Sequence, residues 1–173
     1  MILTELANYT AYRMHTPKWA SRPLSGAGAA KHGGRLNRPG HDALYLSLEQ
    51  ATAIQEYQQL SDLLPPGLLV SYQLTVVDVV DFRQGSQNGL WPPLWDNLFC
   101  DWRDFWFNRH LEPPSWLIAD AVIAAGYKGI LFKSSLYPSG TNLVLYPRNL
   151  MAADTVTVYD PNHSLPKNQD SWL

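Results

Sequence analysis

Two glutamates, Glu49 and Glu56, stand seven residues apart and could share one face of a helix. A carboxylate pair of that kind is the equipment of a glycosidase, one group serving as acid and the other as base or nucleophile. Arg13 and Arg35 carry planar forked donors that match phosphate better than lysine does. Gly26, Gly28, Gly33 and Gly34 leave backbone amides free to approach a pyrophosphate closely. Neither a Rossmann context nor the Gly-Lys-Ser/Thr ending of a Walker loop accompanies them, so as a pattern they read as a glycine-rich turn. The five histidines, His15, His32, His41, His110 and His163, never fall at an i, i+4 spacing, and Cys100 alone builds no thiolate site. A metal centre is therefore not expected. Ser134 and Ser135 lack the Gly-x-Ser-x-Gly setting of a nucleophile elbow, which argues against a serine hydrolase. Taken singly, Glu56 reads as a solvated helix residue, the arginines as salt-bridge formers and the tyrosines as core aromatics.

The elements that must position these groups follow from periodicity and punctuation. Ala11 to Arg38 is rich in Gly, Ala, Ser, Pro and basic residues and reads as an ordered loop. Ala43 to Ser47 suits a short strand, and Ser47 with Gln50 forms a capping-box pattern for a helix from Leu48 to about Leu60. That helix would bring Thr52, Glu56 and Gln59 near one face. Leu68 to Phe82 alternates, with Val70, Tyr72, Leu74 and Val76 on one side of a half-buried strand. A turn-like break at Gln84 to Gly89 precedes a Trp-rich segment, Leu90 to Glu112, that has no clean period and holds a helical stretch around Asn97 to Arg109. Ser115 is placed to cap a helix through Ala125 that ends at Gly126, and strands follow at Gly129 to Phe132, Asn142 to Tyr146 and Thr155 to Tyr159.

This order does not alternate strand and helix regularly, so the expected class is α+β and a doubly wound nucleotide fold is disfavoured. The length, 173 residues, fits one domain, expected over residues 1–160 with a polar C-terminal tail at 161–173. A formal net charge of −2 supplies no basic field for nucleic acid. The single cysteine favours a reducing compartment, and no segment has the length to span a bilayer, so a cytoplasmic protein without membrane contact is expected. The tryptophans crowd into Trp91, Trp95, Trp102, Trp106 and Trp116, where a core or lid role is expected before substrate contact.

Read together, the residues resemble the RES domain, named for an arginine, a glutamate and a serine. The first block is Tyr12-Arg13, Ser25-Gly26-Ala27-Gly28-Ala29, Gly33 to Gly40, Ala43 to Ser47, and Ala53 followed by Glu56. The second is Gly129 to Ser134 and then Asn142 to Pro147. Two departures stand out: Leu36 occupies a place where family members often carry Trp, and Ser134 is followed by Ser135, which shares the serine assignment with it.

The resemblance implies an ADP-ribosyltransferase-like fold, a core of short mixed strands flanked by helices. It also implies a toxin that cleaves the nicotinamide–ribose bond of NAD⁺ by hydrolysis or phosphorolysis, with protein ADP-ribosylation as the alternative. Carried over by position, Glu56, Arg35, Tyr45 and Ser134 would form the catalytic set, and Arg13 would join Arg35, Tyr45 and Ser134 in binding the dinucleotide. Glu56 would stabilise charge developing on the ribose, the arginines would hold the pyrophosphate, and Tyr45 would stack on nicotinamide or ribose. NAD⁺ would enter as substrate, with no cofactor. The implied protein partner is an Xre-type helix-turn-helix antitoxin, and a homodimer is a further expectation.

Overall fold

The computed structural model describes residues 1–86 and 89–170. Two long strands dominate it, one expected from the sequence and one not. β1 (Leu3–His15) and β3 (Leu68–Asp81) pair antiparallel from Leu3 opposite Val80 to His15 opposite Leu68. β3 has the expected alternation, with Val70, Tyr72, Leu74 and Val76 buried. At Asp78 the backbone takes a positive φ of 55°, after which Val79 and Val80 are both buried. β1 corrects the loop reading of Ala11 to Arg38, because it runs through Arg13 to His15; the same stretch also holds the short helix α1 (Ala27–His32).

Four shorter strands complete the sheet: β2 (Leu44–Ser47), β4 (Gly129–Lys133), β5 (Thr141–Leu145) and β6 (Thr155–Val158). The order is β1-β2-β5-β4-β3-β6, and the additional β1–β3 pairing closes the first five into a barrel-like ring. Among the described residues only β3 and β4 pair parallel, so the sheet is mixed as expected, although two of its strands are long. Odd and even residues of β4 and β5 divide between two cores. Leu131, Leu143 and Leu145 join Tyr72, Leu74 and Leu46 on one side, while Ile130, Phe132, Val144 and Tyr146 meet Ile118, Val122, Trp91 and Trp95 on the other. Covering both faces is what a strand buried on both sides requires.

The helices are α2 (Gln50–Gln58) and α3 (Pro114–Ala124) besides α1, together with several one-turn helices. The expected capping box does not form. Ser47 is buried at the end of β2 and its hydroxyl donates to Asn142 Oδ1 at 2.9 Å, while Glu49 occupies the N-cap position of α2. α3 likewise starts at Pro113 and Pro114, and the Ser115 hydroxyl donates to the Arg35 carbonyl oxygen at 2.6 Å. Gly126 ends that helix with a φ of 80°, as its sequence suggested. The helical stretch around Asn97 to Arg109 is broken: one 3₁₀ turn covers Pro93–Asn97 and one π turn covers Asp104–Asn108. Within the break at Gln84 to Gly89, Gln87 and Asn88 lie outside the described residues, as do the last three residues of the tail.

Candidate active site

Where β1, β2, α2 and the Trp-rich segment converge, a cavity of about 560 Å³ opens. Arg13, Arg35, Tyr45 and Glu56 line it together, although 43 residues of sequence separate the first from the last. Its size lies in the range of small-molecule sites.

Glu56 projects from α2 toward the start of β5. Its Oε1 accepts hydrogen bonds from Ser134 Oγ at 2.7 Å and from Asn142 Nδ2 at 2.6 Å, and Asn142 is itself oriented by the Ser47 hydroxyl. Oε2 has no protein partner among the described residues. The carboxylate is thus held by one oxygen and free at the other. Glu49, its would-be glycosidase partner, is spent elsewhere: its Oε2 accepts from Thr52 Oγ1 at 2.6 Å and from the Thr141 amide at 2.9 Å, tying α2 to β5.

The two candidate serines separate cleanly. Ser134 is buried behind Glu56, and its oxygen also accepts the amides of Leu136 and Tyr137. Ser135 lines the cavity instead. The hydrogen bond to Glu56 therefore belongs to Ser134, while Ser135 faces the open space.

Both inner arginines are anchored through one nitrogen. Arg13 Nη1 donates to the Ser25 carbonyl oxygen at 3.3 Å; Arg35 Nη1 donates to the carbonyl oxygens of Leu98 at 3.2 Å and Cys100 at 2.9 Å. Burial lowers the pKa of each from its ordinary value, and both remain cations because a guanidinium starts so high. Behind Arg13, His15 Nε2 meets the Tyr72 hydroxyl at 2.7 Å, and that hydroxyl donates to the Pro23 carbonyl oxygen at 2.8 Å. Since Tyr72 spends its proton on Pro23, His15 Nε2 must carry the hydrogen it shares with Tyr72.

Tyr45 shapes the loop between α1 and β2. Its hydroxyl accepts the Leu36 amide at 2.9 Å and donates to Asn37 Oδ1 at 2.8 Å, and burial raises its pKa. A Cβ on Gly34 would come within 2.6 Å of both the Tyr45 hydroxyl and Asn37 Oδ1, and Gly33 holds a φ of 77°. These two glycines are required by packing and backbone conformation. Gly28, Gly33 and Gly34 do line the cavity.

Several lining residues are not apparent from sequence. Asn142 stands in the C-terminal block of the family pattern, where its type close to Ser134 is the available signal. Phe99, Trp102 and Arg103 come from the Trp-rich segment, whose lack of period hides which side chains face inward. Trp91 and Trp95 are core as expected, whereas Trp102 forms cavity wall. Trp116 is buried and donates Nε1–H to the Gly34 carbonyl oxygen at 2.7 Å. Among the described residues no cluster suited to a metal ion is present, and no helix is long and apolar enough to cross a membrane.

Three comparisons bear on this arrangement. A chain of the crystal structure of the M. tuberculosis MbcT–MbcA toxin–antitoxin complex superposes with a TM-score of 0.59 at 19% identity, covering 91% of this chain and 84% of that one. That likeness establishes a shared fold. The protein Toxin Res of Yersinia enterocolitica (serotype O:8 / biotype 1B, strain NCTC 13174 / 8081) is 27% identical over 141 residues, 80% of this chain and 84% of its own length. The sequence profile of the RES domain matches residues 10–168, which spans every side chain of the cavity described above. The chain therefore belongs to the RES domain family.

Proposed function

We propose that this chain is a toxin that binds NAD⁺ in the cavity and breaks the bond between nicotinamide and ribose, by hydrolysis or phosphorolysis, depleting the NAD⁺ of the cell in which it acts. The observation that carries the reading is Glu56, one oxygen fixed by Ser134 and Asn142 and the other without a protein partner among the described residues, in a cavity walled by Arg13 and Arg35. Departure of nicotinamide leaves positive charge on the ribose ring. A fixed carboxylate stabilises that charge without reorganising, and more strongly in a site shielded from water than in bulk. The remaining nitrogens of Arg13 and Arg35 are suited to the pyrophosphate, and the ring of Tyr45 offers an aromatic wall to nicotinamide or ribose. Ser134 acts through Glu56 by holding its orientation.

The Yersinia relative is a toxin by name, and the tuberculosis protein was crystallised as part of a toxin–antitoxin complex; both support the toxin reading and a protein antitoxin as partner. Family resemblance suggests the Xre type for that antitoxin and the cytoplasm as the place of action. Incubating purified protein with NAD⁺, with and without phosphate, and identifying products by mass tests the chemistry. Free nicotinamide with ADP-ribose or its phosphorylated form is the expected result; label retained on protein would instead support ADP-ribosyl transfer, and no nicotinamide release would overturn the reading.

A further inference from the structure

The cavity carries more positive charge than a dinucleotide's pyrophosphate calls for. Among the described residues three arginines line it, Arg13, Arg35 and Arg103, against the single carboxylate of Glu56. Arg13 and Arg35 each spend Nη1 on backbone carbonyls, and the reading above gives their remaining donors to the pyrophosphate. Arg103 is differently placed. It is exposed, and its guanidinium lies 4.8 Å from the Trp102 ring centre, on a side chain that also forms cavity wall.

Acidic residues flank Arg103 in sequence, yet neither pairs with it. Asp101 Oδ1 accepts the Asp104 amide, and the Asp104 carboxylate is engaged with Asn108 and Arg109. Among the described residues Arg103 therefore keeps its full set of N–H donors. It stands near enough to Arg35 for the two cations to repel, and after burial, the larger cause, the Arg103 charge adds to the lowering of the Arg35 pKa. A like-charged guanidinium held on an aromatic ring beside another arginine is stabilised by an anion arriving between them.

We propose that Arg103 binds a phosphoryl group additional to the pyrophosphate of the dinucleotide. This rests on the NAD⁺ reading above and extends it. Two sources share that chemistry: inorganic phosphate acting as acceptor, and the 2′-phosphate of NADP⁺. In the first case the ribose C1–N bond breaks with its electron pair leaving on nicotinamide, and a phosphate oxygen forms the new C1–O bond, so no oxidant or reductant is needed. In the second, Arg103 sets preference for the phosphorylated dinucleotide.

Steady-state kinetics of the wild type, Arg103→Ala and Arg103→Lys separate these cases, with phosphate titrated at fixed NAD⁺ and with NAD⁺ and NADP⁺ compared in phosphate-free buffer. Loss of a bidentate contact raises the KM of the recognised species about tenfold or more. The acceptor arm predicts that rise for phosphate, the 2′-phosphate arm predicts it for NADP⁺, and in each the KM for NAD⁺ moves several-fold less. Arg103→Lys recovers part of the loss. Calorimetric titration with inorganic phosphate or with 2′-AMP gives a second readout, in which Arg103→Ala weakens binding of the recognised anion by a similar factor. The inference is overturned if Arg103→Ala changes KM for NAD⁺, NADP⁺ and phosphate alike, or leaves all three and both titrations as in the wild type. A wild type that releases no nicotinamide overturns the NAD⁺ reading instead, and the titrations still decide whether Arg103 binds phosphoryl groups.

Discussion

Glu56, Ser134 and Asn142 form a unit in which the first is reactive and the other two hold it. Glu56→Gln keeps an oxygen for both donors and removes the negative charge, so the fold survives and nicotinamide release falls by a hundredfold or more. That corresponds to about 3 kcal/mol of lost transition-state stabilisation. NAD⁺ turnover beside matched thermal melts checks it, and near-normal turnover in a folded variant would remove Glu56 from the mechanism. Ser134→Ala differs in kind. It strips Glu56 of a donor and leaves the Leu136 and Tyr137 amides without their acceptor, so both rate and stability drop, the latter by about 1–3 kcal/mol. Ser135→Ala, at a side chain that makes no such bonds among the described residues, changes melting little. Equal melting of the two serine variants would contradict the assignment of the structural serine to position 134.

At the scale of elements, the loop from Gly33 to Arg38 is held in place by one phenol. Tyr45→Phe leaves the buried Leu36 amide and Asn37 Oδ1 without that partner, costing about 1–3 kcal/mol in a urea titration. Faster hydrogen exchange at Leu36 is the local sign, and an unchanged midpoint would mean that water replaces the hydroxyl. How much of these elements the sequence made legible depended on whether neighbours in sequence supplied the partners. β3 was legible because its inward residues alternate without interruption over Val70 to Val76. β1 was not, since its buried residues are Leu6, Ala11 and His15, and register shifts between Thr4 and Tyr9 destroy the two-residue period. The capping box at Ser47 failed for another reason: Asn142, 95 residues away, takes the hydroxyl. The site arginines and glutamate were recognisable only as an ordered pattern, because the cavity joining them exists once the ring of strands has closed.

That closure gives the whole molecule a distinctive response to acid. His15 ends β1 with its ring buried against Tyr72 and beside Arg13, and burial first, then the Arg13 charge, lower its pKa from 6.5 to about 4. An unfolded chain protonates this imidazole near its ordinary pKa, so between about pH 6.5 and 4 the unfolded state binds more protons than the folded one. Stability contributed by a neutral His15 is therefore fully present above about pH 6.5, declines as pH falls toward 4, and changes no further below that. The shift corresponds to roughly 3 kcal/mol across the window. Protonation would add a second cation beside Arg13 in the interior and offer Tyr72 nothing new, since Nε2 already donates to it. His15→Gln retains an N–H for the Tyr72 hydroxyl and cannot take up a proton in this range. Denaturant unfolding at pH 7 and pH 4.5 then separates His15 from the carboxylates, which titrate in both proteins. The wild type loses more stability on acidification than the variant, and identical losses would show that the imidazole is already charged in the folded chain or accessible to water.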